Sequence, residues 1–150
     1  SYSKFTDNLQ DMQKQIHQYE RVFFVGHSLG GIYALYLANY YKDTTIGGVS
    51  LSTPYSGSEQ ADFAKYFVPF NRLMKDIGTM SEPMKQARKL PKPPNWTNIV
   101  TTRGDSPWIK ARNDGVVTLD SMRYRTDFEL IELKIKLLFN LSYTPTISIA

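Results

Sequence analysis

Phe5, Leu9, Met12, Ile16 and Tyr19 recur at alternating steps of four and three between polar residues, which predicts an amphipathic helix with one core-facing stripe. His17 lies beside that stripe and reads as a helix-surface residue. The period then changes. Residues 22–25 form a short apolar run suited to a buried parallel strand, and 29–41 carry Ile32, Ala34, Leu35, Leu37 and Ala38, a helical segment apolar nearly all round. A second strand is predicted over 46–52, where Gly47 and Gly48 permit close backbone approach, and it ends in the turn-rich loop 53–58. Residues 59–84 read as irregularly helical, with Phe63, Phe67, Phe70, Met74 and Met80 interrupted by Pro69 and Gly78. A third strand fits 98–102, followed by a polar loop over 103–114, and a fourth fits 128–133. Strands separated by helical stretches predict an α/β fold, a mostly parallel sheet of about four strands with flanking helices. Ligands in such sheets bind where the strands end, so Ser28 and the loops 53–58 and 103–114 can share one rim.

Between the first strand and its helix stands Gly26-His27-Ser28-Leu29-Gly30, the G-x-S-x-G pattern that presents a nucleophilic serine. A serine hydroxyl is a poor nucleophile unless a sharp strand-to-helix turn holds it out and a base and oxyanion donors serve it. Glycines two positions either side suit that turn, because a Cβ there would collide where the helix doubles back on the strand. The spacing predicts a positive φ at Ser28, a helix starting near Leu29 and an Oγ reachable from the surface.

Composition narrows the chemistry. A chain of 150 residues with 41% hydrophobic content can bury one sizeable core, and no long apolar run marks a membrane span. With no cysteine and only His17 and His27, disulfides and thiolate metal sites are excluded and a histidine metal site is not expected. The compartment stays open. Net charge is +4, yet the basic residues are scattered. The densest group, Lys85, Arg88, Lys89 and Lys92, sits among prolines without aromatic interleaving, which reads as a solvated face and not as a nucleic-acid platform.

Three separated segments carry a resemblance. Gly26-His27-Ser28-Leu29-Gly30-Gly31 matches the G-H-S-[LM]-G-G nucleophile elbow, and Ser52-Thr53-Pro54-Tyr55-Ser56-Gly57-Ser58 resembles a T-P-H-x-G-S loop with Tyr55 in the histidine's place. Asn113-Asp114-Gly115-Val116-Val117, with Ser121 beyond, resembles an N-D-G-x-V segment. Together they resemble α/β-hydrolases of the bacterial lipase and esterase kind. The resemblance implies a Ser, Asp, His triad in that chain order, with Ser28 as nucleophile and Asp114 as the acid that orients the base. Asp105, also after the third strand, is the competing acid. The backbone N–H of Leu29 would supply one oxyanion donor.

The resemblance also marks what is missing. The family's histidine follows its last strand, and no histidine stands beyond residue 133. The second oxyanion donor would come from a loop preceding Ser1. The expectation is therefore one α/β-hydrolase-like domain over 1–150, incomplete in its early strands and divergent from about residue 134. Its first strand would then have an open outer edge, prone to self-association. The resemblance implies a small-molecule ester or lipid substrate and no cofactor, with an acyl pocket lined from 63–84. A catalytically inactive domain that keeps the fold for binding or assembly is the alternative.

Overall fold

The computed structural model describes residues 4–57, 81–102, 117–134 and 147–149. Helix α1 (Lys4–Ile16) leads into strand β1 (Val22–His27), helix α2 (Leu29–Tyr40) and strand β2 (Thr45–Leu51). Helix α3 (Glu82–Lys89), strand β3 (Trp96–Thr101), the short helix α4 (Leu119–Met122), strand β4 (Glu129–Leu133) and strand β5 (Ile147–Ile149) complete the described elements. The sheet order is β4-β3-β2-β1-β5. The four strands β1 to β4 run parallel, as the alternation of strands and helices predicts, and β5 alone is antiparallel.

That fifth strand corrects one expectation. The outer edge of β1 is not open: Phe24 pairs with Ile149, Val25 with Ser148 and Gly26 with Ile147. Ile-Ser-Ile alternates with the period of a strand, and its pairing supplies partners to a stretch of backbone that would otherwise invite another chain. The structural motive for self-association through that edge is thereby removed.

Helix α1 buries Phe5 and Ile16 and rests Leu9 and Met12 against the core, while Tyr19 falls beyond its end and is exposed. Phe5 stacks on Tyr33 of α2 at 4.4 Å between ring centroids, and Tyr41 donates its hydroxyl to Gln13 O at 2.9 Å. These contacts fasten α1 across α2. In turn α2 holds α3, because the Tyr36 hydroxyl donates to Pro83 O at 2.6 Å and Asn39 Nδ2 donates to Pro91 O at 3.1 Å. Nine residues of α2 are buried, in keeping with a helix apolar nearly all round. On α3, Met84 and Ala87 face inward, whereas Lys85 pairs with Glu82 in solvent, the solvated face expected of this basic stretch.

Register explains the inner face. Phe24 lies beside Gly48 and Gly48 beside Trp96, so the indole spreads over the glycine, and a Cβ there would meet the ring at 2.4 Å. Two residues on, on the same face, Gly26 lies beside Ser50 and Ser50 beside Asn98. The buried polar pair is satisfied: Ser50 Oγ donates to Asn98 Oδ1 at 3.1 Å, and Asn98 Nδ2 donates to Met122 O at 2.8 Å. The opposite face carries Val25, Val49, Ile99 and Ile131. Val25 is 41% exposed although it stands in an interior strand.

Past β3, the buried Arg125 binds Asp127 through Nε to Oδ1 at 2.8 Å and Nη2 to Oδ2 at 2.7 Å. Its Nη1 donates to Ala87 O, and its guanidinium lies 4.3 Å from the Phe128 ring centroid. The hydrogen bonds from Arg125 hold the Asp127 carboxyl below its ordinary value of 3.8.

Two outcomes follow from this packing. Gly48→Ala forces the Trp96 ring off β2 and should cost about 1 to 3 kcal/mol, lowering Tm by roughly 2 to 4 °C for each kcal/mol; an unchanged melting curve would contradict the close approach. Asp127→Asn should cost about 1 kcal/mol at neutral pH, modest because the carboxylate is half-exposed. Since the folded pKa is lowered, the native contribution is complete above pH 3.8 and is lost as pH falls through the lowered value. The gap between the two urea-unfolding free energies should therefore narrow in acid.

Candidate active site

The turn at Ser28 follows from the glycines around it. Its φ is 53° and its ψ is −124°, a conformation outside both the helical and the strand regions, and α2 begins at the next residue. Ser28 N donates to Leu51 O at 2.9 Å, which carries the β1–β2 ladder one residue past the strand, and Ser28 O accepts from Gly31 N at 3.0 Å. A Cβ on Gly26 would stand 2.5 Å from Gly30 O and 2.6 Å from the Gly31 Cα. Gly26 is thus required by the return of α2 over the strand, the collision its place before the serine predicts.

The side chain departs from expectation. Ser28 is only 5% exposed, and its Oγ is buried without a hydrogen bond to any described residue. The elbow geometry is present while the hydroxyl is covered, so Oγ is not reachable from the surface in this conformation.

The loop after β2 meets the elbow from the other side. Ser52 has a positive φ of 48°, is fully buried, and shares a 2.6 Å hydrogen bond between its Oγ and Thr101 Oγ1. Its N–H donates to Ile99 O at 2.9 Å, the same step past a strand end that Ser28 makes. The buried Thr53 then lies against Gly31. Tyr55, in place of the histidine of the T-P-H-x-G-S pattern, is buried, accepts a hydrogen bond from Trp96 Nε1 at 3.3 Å and meets Phe128 edge to face. Burial pushes the Tyr55 phenol up to about 12, so it stays neutral at ordinary pH. Ser121 Oγ donates to Gly57 O at 2.8 Å, closing the loop against α4.

The structure brings Ser28, the first turn of α2 beginning at Leu29, and the loop 52–57 together at the ends of β1, β2 and β3. Asp114 and Asp105 lie outside the described residues, as do the aromatic positions of 63–80. His17 sits at the exposed end of α1, its Nδ1 2.6 Å from Lys14 O. His27 is the last residue of β1, beside Leu51. Among the described residues no group of three or more His, Cys, Asp or Glu is placed to hold a metal ion. Sequence reasoning missed the Ser52–Thr101 pair and the support that Trp96 gives Tyr55. A Thr-Pro dipeptide signals a turn but not which hydroxyl across the sheet will fasten it.

No protein-family model matches the chain, and no curated protein matches its sequence. In fold it is similar to a solved carboxylesterase of the ammonia-oxidizing thaumarchaeon Nitrososphaera gargenis. The two superpose with a TM-score of 0.52 over 89% of this chain, at 13% sequence identity. This chain spans 64% of that esterase's length. At that identity the likeness is one of fold: an α/β arrangement of four parallel strands with flanking helices.

A buried hydroxyl without a partner is a net cost to folding. Ser28→Ala keeps the backbone and removes that hydroxyl, so it should raise stability by about 0.5 to 2 kcal/mol. Thermal melting checks this, and a lower Tm for the alanine variant would show that Oγ has a stabilising partner.

Proposed function

We propose that this is a serine-hydrolase-type domain whose intact form hydrolyses carboxylic esters, lipids foremost, through an acyl-enzyme on Ser28. The observation that carries the proposal is the backbone of Ser28, a non-glycine residue held at φ 53° between a parallel strand and a buried helix, within a fold similar to that of a carboxylesterase. In this reading Ser28 Oγ attacks the ester carbonyl carbon, the Leu29 N–H donates to the developing oxyanion, and the alcohol leaves. Water then attacks the acyl-serine and releases the acid. Asp114 is the acid of the triad in this proposal, with Asp105 as its rival.

The proton of Ser28 needs a base, and the 150 residues hold no histidine after β4. Loss of one triad member costs on the order of 10⁴ to 10⁶ in turnover. The chain as it stands is therefore impaired in this reading.

A second reading, an inactive domain kept for binding or assembly, is favoured by the covered Oγ. An activity-directed phosphonate separates the two. Labelling that disappears in Ser28→Ala supports the hydrolase reading, and p-nitrophenyl ester turnover near background is the expected result for the chain as it stands. Absence of labelling supports the binding domain. Rapid turnover abolished by Ser28→Ala would show that another group acts as base and would overturn the claim of impairment.

A further inference from the structure

The loop after β2 is fastened at three points that the hydrolytic reading leaves unused. Ser52 Oγ meets Thr101 Oγ1 at 2.6 Å, Trp96 Nε1 donates to Tyr55, and Ser121 Oγ donates to Gly57 O. Between the first two fastenings stands Thr53, fully buried. A Cβ built on Gly31 would lie 1.9 Å from Thr53 Oγ1 and 2.8 Å from its Cγ2, so the threonine side chain fills the space that glycine leaves in the first turn of α2. Gly31 N is also the donor to Ser28 O, one hydrogen bond from the nucleophile's backbone. Any sideways movement of that turn would therefore press on Thr53, and Thr53 cannot retreat because Ser52 is tied to β3.

We propose that Thr53, held by the Ser52–Thr101 hydroxyl pair, is a positioning residue that braces the first turn of α2 and so fixes Ser28 at the elbow. The proposal rests on the reading of Ser28 as the nucleophile. Thr53 acts by shape: both branches of its side chain crowd Gly31, and among the described residues its Oγ1 makes just a long contact of 3.5 Å with Leu51 O. Valine has the same shape without the hydroxyl and should replace it.

The chain has no cysteine, so Ser28→Cys introduces a single thiol at the elbow whose reactivity reports local geometry independently of any catalytic base. The experiment measures its alkylation by iodoacetamide as a function of pH, in the 150-residue chain carrying Ser28→Cys alone or with a second substitution. Thr53→Ala should change the limiting rate by about threefold or more and shift the midpoint of the profile toward that of a free cysteine. Thr53→Val should keep the parent profile. Ile16→Val, a core change on α1 away from the elbow, should lower Tm and leave the profile alone. If Thr53→Ala does not fold, Thr53→Ser, which removes only Cγ2, is read in its place and should move the profile in the same direction. A Thr53 variant that lowers Tm without moving the profile would make the residue ordinary core packing and overturn the proposal. So would a parent thiol that already titrates and reacts as a free cysteine does, because no held elbow would remain to brace. Failure of phosphonate labelling at Ser28 counts against the hydrolase reading and leaves these thiol measurements intact, so the two failures are distinguishable.

Discussion

A Cβ atom on Gly26 would stand 2.5 Å from the carbonyl oxygen of Gly30, and that lack of room sets the geometry of the rim. With glycine there, the first turn of α2 can fold back over the end of β1, and the one residue between strand and helix must take the unusual φ and ψ of Ser28. The register of the sheet carries the consequence outward. Ser28 N reaches Leu51 O, Ser52 N reaches Ile99 O, and Thr102 N reaches Leu133 O. Each strand thus hands its first loop residue to the end of the next, and the loops after β1, β2 and β3 leave from one line.

The same closeness explains the sheet's composition. Parallel strands usually read as runs of branched apolar residues, yet the centre of this inner face holds Gly26, Gly48, Ser50 and Asn98. Gly48 yields its volume to Trp96, and Trp96 in turn supports Tyr55 in the loop behind the elbow. Ser50 and Asn98 keep a hydrogen-bonded pair in the interior, with Asn98 reaching on to the last residue of α4. Apolar burial is concentrated in α2 and the aromatic rings, while the residues beneath them are small or satisfied polar groups.

Much of this was legible in the chain because it depends on local period and on glycine. The helical stripe of Phe5 to Ile16, the apolar run into Gly26 and the all-round apolar character of α2 each declare one element. Tyr19 continued the stripe on paper, but the helix ends at Ile16 and Tyr19 N turns back to Ile16 O. Strand β3 begins at Trp96, two residues earlier than its β-branched segment suggests, because its register is set by Gly48 across the sheet and not by its own residues. The pairing of β5 was illegible for a related reason: three alternating residues carry no more pattern than a loop, and their partner lies more than a hundred positions away. The covering of Ser28 Oγ was equally hidden, since a motif specifies a backbone turn and not the side chains that gather over it.

Three described non-glycine residues have positive φ, and they differ in what sustains them. Asn95 is the familiar case, a residue type that tolerates this region, and its Nδ2 donates to Ile46 O at 2.9 Å. Ser28 and Ser52 have no such intrinsic tolerance, and positions of this sort cost about 1 to 3 kcal/mol each. At Ser52 the buried bond to Thr101 offsets part of that cost. Ser28 has no described partner for its hydroxyl, so strain and an unpaired buried oxygen fall on the same residue. Packing alone would favour a smaller, apolar residue at that turn. The role proposed for Ser28 as a nucleophile would set a demand on its oxygen that packing does not.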